Sequence, residues 1–157
     1  MREGGQEATT FLREVVWPAQ RMILERGSAS VLDLRARLLD VLGSVRDLPG
    51  AWTWPNDFEA VSNYNHMRTL VAVAWPELSF YDAQTGVGLS NDVSDELGDA
   101  LDDLADLAGD FENALRLGQR DAAGALSWLR FTAETHWGEH IEELARYLLW
   151  LSGSRNT

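Results

Sequence analysis

Two of the three histidines in this sequence are spaced to act together, in an H-W-G-E-H pentapeptide that runs from His136 to His140. On a helix, side chains four residues apart share one face, so both imidazoles can bind one metal ion such as zinc. Glu143 lies about one turn beyond His140, near the same edge of the helix. The structural alternative is a pair of partly buried histidines that form hydrogen bonds with neighbouring helices.

The pentapeptide also matches H-x-x-E-H, the signature of inverted zinc proteases. We exclude that activity because Glu139 is rotated away from the two histidines and Gly138 weakens the helix at the motif. Covalent catalysis is not indicated either. The chain has no cysteine, and it contains no G-x-S-x-G, P-loop or G-x-G-x-x-G motif.

A run of acidic residues is the second set of side chains that could do chemistry. On a helix of about 100° per residue they fall within a sector of about 120°, separate from the apolar sector. The acids are Asp92, Asp95, Glu96, Asp99, Asp102, Asp103, Asp106 and Asp110. We expect this stripe to face solvent, as on an ordinary amphipathic helix. Two functional interpretations stay open, a docking surface for a basic partner and a magnesium site built from carboxylate oxygens.

Composition restricts the class of partner. The formal net charge is -12, and all thirteen basic residues are arginines at scattered positions. A nucleic-acid-binding surface needs clustered cations, so we predict no nucleic acid partner and favour a protein partner, with a basic one electrostatically easier. Residues 1–10 carry no apolar signal-type run, and the longest apolar stretch, 70–75, is far shorter than the ~20 residues that span a bilayer. Without cysteine as well, the sequence predicts a cytoplasmic protein with no membrane partner.

The elements that must position these side chains are helices. Apolar residues at three- and four-residue spacing predict an all-α fold, a single-domain bundle of four to five helices over residues 1–157. The predicted helices span about 7–26 with a kink at Pro18, about 31–47 after a cap at Ser28 or Ser30, about 57–75, 90 or 91 to 118, and about 121–152. Asp33 completes a capping-box pattern with Ser30.

Two segments lack helical periodicity. Residues 48–57 are predicted as a loop whose Trp52 and Trp54 fold back onto the bundle. Residues 76–89 form a loop that is long for so small a domain, so we expect it either to be packed by its aromatic residues or to be functional.

The second half of the chain resembles a bacterial family described as domain of unknown function 5063. The resemblance rests on the D-D-L-A-D segment at 102–106, the L-R-L-G turn at 115–118, and the aromatic helix at 128–140 that contains Trp137-Gly138. Residues 39–81 fit more loosely. The resemblance implies one helical domain and no established activity.

The chain also resembles, in length and in its histidines, the DinB-like helical bundles. Those bundles bind a divalent metal through one histidine on an early helix and an H-x-x-x-H pair on a late one. The resemblance implies His66, His136 and His140 as metal ligands of a metal-dependent enzyme.

We predict first a non-enzymatic protein-protein interaction module without a cofactor, of which an immunity- or antitoxin-like protein that masks a basic effector is one form. The DinB-like metal enzyme is the alternative. The residues predicted to meet the partner are Asp99, Asp102, Asp103, Asp106 and Trp137.

Overall fold

Helices dominate the part of the chain that the structure, a computed structural model, describes: residues 2–49, 53–90 and 96–154. They are α1 (Arg2–Phe11), α2 (Trp17–Glu25), α3 (Val31–Arg46), α4 (Tyr64–Ala74), α5 (Ala100–Gly118), α6 (Ala122–Thr132) and α7 (Gly138–Ser154). Two π-helical turns, Leu12–Val16 and Ala133–Trp137, join α1 to α2 and α6 to α7, so the helices form five rods. The prediction of an all-α bundle of four to five helices is confirmed.

The first rod passes through its proline without breaking. The Trp17 N–H donates to the Leu12 carbonyl, five residues back, and this wider turn ends directly before Pro18 in the first turn of α2. Proline cannot donate a backbone hydrogen bond, so a local change of helical register is the expected accommodation. The rod stops where Arg26 (φ 58°) and Gly27 (φ 66°) both adopt left-handed backbone.

The predicted capping box at the start of α3 is confirmed. The Ser30 hydroxyl accepts from the Asp33 N–H at 3.0 Å, and the Ser30 N–H donates to the Asp33 carboxylate at 2.9 Å. Both bonds satisfy donors that a helix start otherwise leaves exposed to solvent.

One apolar core joins the rods. The α3 helix packs along α7, α4 packs against α5, and α5 packs against α6. Among its largest fully buried side chains are Ile23, Leu34, Leu38, Trp75, Tyr81, Leu104, Phe111, Leu129, Trp137 and Ile141. The Trp75 indole N–H is satisfied by the Ile23 carbonyl at 3.0 Å, so this large ring is buried without an unpaired donor.

A two-stranded ribbon precedes the helix that was predicted over 90 or 91 to 118. Strands β1 (Phe80–Asp82) and β2 (Leu97–Asp99) pair antiparallel, with Tyr81 opposite Gly98. The Tyr81 ring lies so close to Gly98 that a Cβ there would come within 2.4 Å of it. The helix therefore starts at Ala100, and the prediction of a start at residue 90 or 91 is wrong. Asn91, Val93 and the acids Asp92 and Asp95 lie outside the described residues.

Both predicted loops pack against the bundle through aromatic rings. Trp54 folds back so that its ring centroid lies 5.4 Å from that of Phe131; Trp52 lies outside the described residues. The 76–89 loop is packed by aromatic rings, since buried Tyr81 stacks on Tyr147 at 4.8 Å.

Residues 58–63 are not helical, so the predicted helix over about 57–75 begins seven residues late, at Tyr64.

No helix within the described ranges is both long enough and apolar enough to cross a membrane.

Candidate functional site

The acidic run of α5 faces the histidines of the last rod. Asp99 caps the helix by accepting from the Leu101 and Asp102 N–H groups at 3.1 and 3.4 Å. Its second oxygen lies 3.1 Å from Arg68 of α4. The expected solvent-facing stripe is therefore wrong at its first described turn, because Asp99 is engaged by the helix terminus and by a neighbouring helix.

Asp103 is the most buried of these acids. Its carboxylate accepts from the Tyr81 hydroxyl at 2.6 Å, and its other oxygen lies 3.3 Å from His140 Nδ1. Only 7% of the Asp103 side chain is exposed. The prediction that Asp103 faces solvent is wrong, because both of its oxygens are turned into the bundle. Its role in binding a partner stays a prediction.

His140 carries a positive charge at neutral pH. Its contact with Asp103, helped by Glu143 and Asp106, raises the pKa of the imidazole to about 9, against the opposing effect of burial. The Nδ1–Asp103 contact is an ion pair rather than a well-aligned hydrogen bond, and Nδ1 has no other hydrogen-bond partner among the described residues. Burial, and then Asp103, raises the pKa of Tyr81, so that hydroxyl stays a hydrogen-bond donor.

His136 forms a second pair one turn earlier in the rod. Its Nδ1 lies 2.8 Å from Asp110 Oδ2, and its ring meets the His140 ring edge-on with centroids 5.7 Å apart. Burial raises the pKa of Asp110, while the bond to His136 partly offsets that effect. Both histidines thus face the acids of α5.

A π-helical turn places His136. The Gly138 N–H donates to the Ala133 carbonyl, five residues back. A Cβ at position 138 would lie 2.3 Å from that carbonyl oxygen, so only glycine fits the turn. Single π turns inside α-helices are frequent at functional sites, because they re-aim side chains without ending the helix.

Asp106 differs from its neighbours on α5. Tyr64 of α4 donates its hydroxyl to Asp102, and Asp110 holds His136, whereas Asp106 makes no hydrogen bond or ion pair with any described residue. It is half-buried. Burial, and then the neighbouring Asp102, raises the pKa of Asp106, and the two histidines only partly offset this.

Asp106 lines a cleft of about 200 Å³ between α5 and the segment that precedes α4. The walls are formed by Ala60, Val61, Ser62, Asn63, Tyr64, Ala105, Asp106, Gly109, Asp110, Asn113 and His136. Two carboxylates, an imidazole and a phenol ring thus surround one opening. Chemically, the cleft offers acceptors to a cationic group.

The three predicted metal ligands are not brought together. His136 and His140 are neighbours, but His66 is exposed on α4. It stands two residues from both Tyr64 and Arg68, which contact α5, so it projects from the opposite side of its helix. No group of three His, Asp or Glu side chains within the described ranges is arranged to hold a metal ion. The raised pKa of His140 favours its protonated form, which would have to lose a proton before the imidazole could bind a metal.

Trp137 is the second of the predicted partner-binding residues that is buried in the structure. It is 1% exposed, its ring meets Phe111 edge-on at 5.4 Å, and its indole N–H donates to the Thr132 hydroxyl at 2.8 Å. This burial does not favour a contact between Trp137 and a partner, and that role stays a prediction. The ring belongs to the core beneath the histidine pair.

Sequence reasoning missed Tyr64, Tyr81 and Asn113. Both tyrosines hydrogen-bond acids of α5 from segments that are distant in the chain. Asn113 stands among the other polar residues of α5 and differs from them only in its tertiary contacts. No local signal in the sequence marks any of the three.

No family model matches the chain, and no similar protein was found among the curated proteins or the solved structures. The likeness to domain of unknown function 5063 and to the DinB-like bundles stays a prediction.

Proposed function

We propose that this chain is a non-enzymatic protein-binding module whose acidic cleft accepts a basic side chain of a partner protein. The observation that carries this proposal is Asp106, a half-buried carboxylate that lines the cleft without a hydrogen-bond or ion-pair partner among the described residues. A partly buried carboxylate is disfavoured when no cation pairs with it directly, and the two histidines only partly offset that cost. A guanidinium or ammonium group from outside would reduce it further.

Electrostatics around Asp106 favour a cation. Asp102 and Asp110 stand one helical turn away on either side, and the whole chain carries a formal charge of -12. The nearby arginines contact other groups: Arg68 contacts Asp99 through Nη2, and Arg116 donates to the Glu59 carbonyl and to Asn113. In this proposal a partner supplies the cation that pairs with Asp106.

The proposed docking surface is smaller than the acidic stripe read from the sequence. Asp106 and Asp110 line the cleft, and Asp99 and Asp102 lie towards its α4 side, where each already has a partner. An immunity- or antitoxin-like role, in which the cleft masks a basic effector, is the form of the proposal that the charge supports best. A cytoplasmic location belongs to the same proposal and is supported by the absence of cysteine.

The experiment uses a defined probe, a fluorescein-labelled octapeptide of alternating threonine and arginine, read by fluorescence anisotropy at low salt. We expect it to bind, and we expect Asp106→Asn to weaken binding about tenfold. Asp40→Asn, which removes an exposed charge from α3, is the matched control and should leave the affinity within about twofold.

Two results would overturn the proposal. One is that the threonine–arginine octapeptide binds no more tightly than an octapeptide of alternating threonine and glutamate. The other is an equal loss of affinity in the Asp106 and Asp40 variants, which would reduce the interaction to net charge.

A further inference from the structure

Three aromatic side chains, Tyr81, Tyr147 and Trp150, form a stack that runs from the core to the surface. The rings of Tyr81 and Tyr147 lie nearly parallel, at 10°, with their centroids 4.8 Å apart. Tyr147 in turn stacks on Trp150 at 19°, with centroids 6.2 Å apart. Both tyrosines are buried, whereas Trp150 is 38% exposed. The aromatic stack therefore connects a buried phenol to solvent.

The two end rings of the aromatic stack rest directly on backbone. A Cβ at Gly98 would lie 2.4 Å from the Tyr81 ring, and a Cβ at Gly88 would lie 2.4 Å from the Trp150 ring. A side chain at either glycine would displace the ring above it. The fold thus sets the distances between the rings.

The aromatic stack contains only rings that lose an electron readily. Tyrosine and tryptophan are oxidised far more easily than phenylalanine, because the phenol oxygen and the indole nitrogen donate electron density to their rings. Among the described residues, three other ring pairs contain tryptophan, and each joins it to a phenylalanine at 46°, 84° or 83°: Trp54–Phe131, Phe58–Trp128 and Phe111–Trp137. Those pairs cannot pass an electron from ring to ring as the aromatic stack can.

The buried end of the aromatic stack also has a proton acceptor. The Tyr81 hydroxyl donates to one oxygen of the Asp103 carboxylate at 2.6 Å. Burial, and then Asp103, raises the pKa of Tyr81, so the ring is a neutral phenol that becomes a neutral radical only by losing a proton with the electron. An oxidised phenol is a far stronger acid than a carboxylic acid, so this proton passes to Asp103 along the existing hydrogen bond.

We propose that Tyr81 is a one-electron redox site, which an oxidant at the protein surface reaches through Trp150 and Tyr147. The oxidant, a one-electron acceptor such as a metal(III) complex, takes an electron from Trp150. Tyr147 and then Tyr81 replace that electron along the aromatic stack, and Tyr81 gives its phenol proton to Asp103. The products are the reduced acceptor, a neutral Tyr81 radical and a protonated Asp103. Tyr81 does not line the acidic cleft, so this inference is independent of the proposed docking function.

Flash photolysis tests the route of the electron. Light generates the oxidant, tris(bipyridine)ruthenium(III), in the presence of a cobalt(III) ammine acceptor, and transient absorption follows the protein radical. We expect the wild-type chain to form a tyrosyl radical and Trp150→Phe to form it more slowly, because phenylalanine interrupts the run of oxidisable rings. Trp17→Phe is the matched control and should behave as wild type, since that ring is 49% exposed and lies against Arg21 instead. Equal rates for wild type and Trp150→Phe would overturn the proposal, as would the absence of a tyrosyl radical.

Electron paramagnetic resonance locates the radical. Tyr81→Phe should lose most of the long-lived tyrosyl signal, whereas Tyr64→Phe should keep it, because Tyr64 also donates to a carboxylate of α5 but has no place in the aromatic stack. In heavy water the wild-type radical should form more slowly, since the proton moves with the electron. A signal that is unchanged in Tyr81→Phe would contradict the inference. If that variant does not fold, the Trp150 and Trp17 variants, which change exposed rings, decide the question.

Discussion

Two carboxylates of this molecule are partly buried beside an aromatic ring, but only one of them pairs with an arginine. Glu77 accepts two hydrogen bonds from Arg26, at 2.6 and 3.0 Å, and the same guanidinium lies 4.2 Å from the centroid of the Trp75 ring. Asp106 is also partly buried and also has an aromatic ring nearby, Tyr64, yet it forms no ion pair or hydrogen bond with a described residue. The chain completes the first site itself, whereas Asp106 forms no hydrogen bond or ion pair with a described residue, and this difference is the basis for proposing a binding site there.

Backbone conformation explains why only the first site is closed. Arg26 has a left-handed φ of 58°, an uncommon conformation for a non-glycine residue, at the turn that ends α2. That turn brings its side chain to the Ala74 carbonyl and to Glu77. At the cleft, the wall residues 60–64 contain no arginine, and Arg68 points to Asp99.

The largest effect should come from breaking the closed site. Glu77→Gln leaves the Arg26 guanidinium without a counter-charge in a setting where it is only 25% exposed. We expect the free energy of unfolding to fall by about 2 kcal/mol, measured by urea denaturation. Glu25→Gln, which removes an exposed pair with Arg21, is the control and should cost less than about 0.5 kcal/mol. A loss no larger than that of the control would show that the Glu77 pair is not structural.

The Asp103→Asn substitution should have the second-largest effect on the free energy of unfolding. Asp103→Asn keeps an oxygen acceptor for the Tyr81 hydroxyl but removes the negative charge beside His140. We expect a loss of about 1–2 kcal/mol in the free energy of unfolding, with the pKa of His140 moving down towards its ordinary value. NMR titration of the imidazole and urea denaturation measure the two effects. An unchanged His140 pKa would show that Asp103 is not the cause of its raised value.

The same histidine gives the fold a pH dependence. Its pKa is about 9 in the folded chain against 6.5 ordinarily, so its stabilising effect is complete below pH 6.5 and is lost as the pH rises through 9. Urea denaturation at about pH 6 and about pH 10 should show lower stability at the higher pH. His140→Gln should reduce that difference; an equal difference in the variant would assign it to other groups.

Asp106 should give the smallest effect on stability, and with the opposite sign from Glu77. Asp106→Asn removes a charge that burial and Asp102 both disfavour. We expect the free energy of unfolding to stay the same or to rise by up to about 1 kcal/mol. A loss of about 2 kcal/mol or more would mean that Asp106 has a structural partner and that the cleft is not an open site.

The helices could be predicted because their information is local. Apolar spacing, the Ser30 capping box and the stop at Gly27 all act within a few residues of the chain. The misplaced helix starts have a tertiary cause. Gly98 pairs with Tyr81 across the ribbon, and Val61 is held by Asn113, so neither segment is free to continue a helix.

The site could be predicted only in part. The acids of α5 were expected to face solvent. The two histidines were expected either to bind a metal or to form hydrogen bonds with neighbouring helices, and they contact Asp110 and Asp103. A wheel fixes the directions of side chains within one helix and says nothing about which rods are adjacent. Only the packed bundle shows that α5 faces the last rod. There Asp103 accepts a hydrogen bond from Tyr81 and contacts His140 of that rod.

The most direct measurement of the central claim is the pKa of the Asp106 carboxyl, followed by NMR with and without the threonine–arginine octapeptide. Without the peptide, the pKa should lie above the ordinary 3.8, because burial and Asp102 both raise it. Saturation with the peptide should bring the pKa below 3.8, because a cation beside the carboxylate favours its ionised form. A pKa that is the same with and without bound peptide would contradict the assignment of this cleft as the docking site.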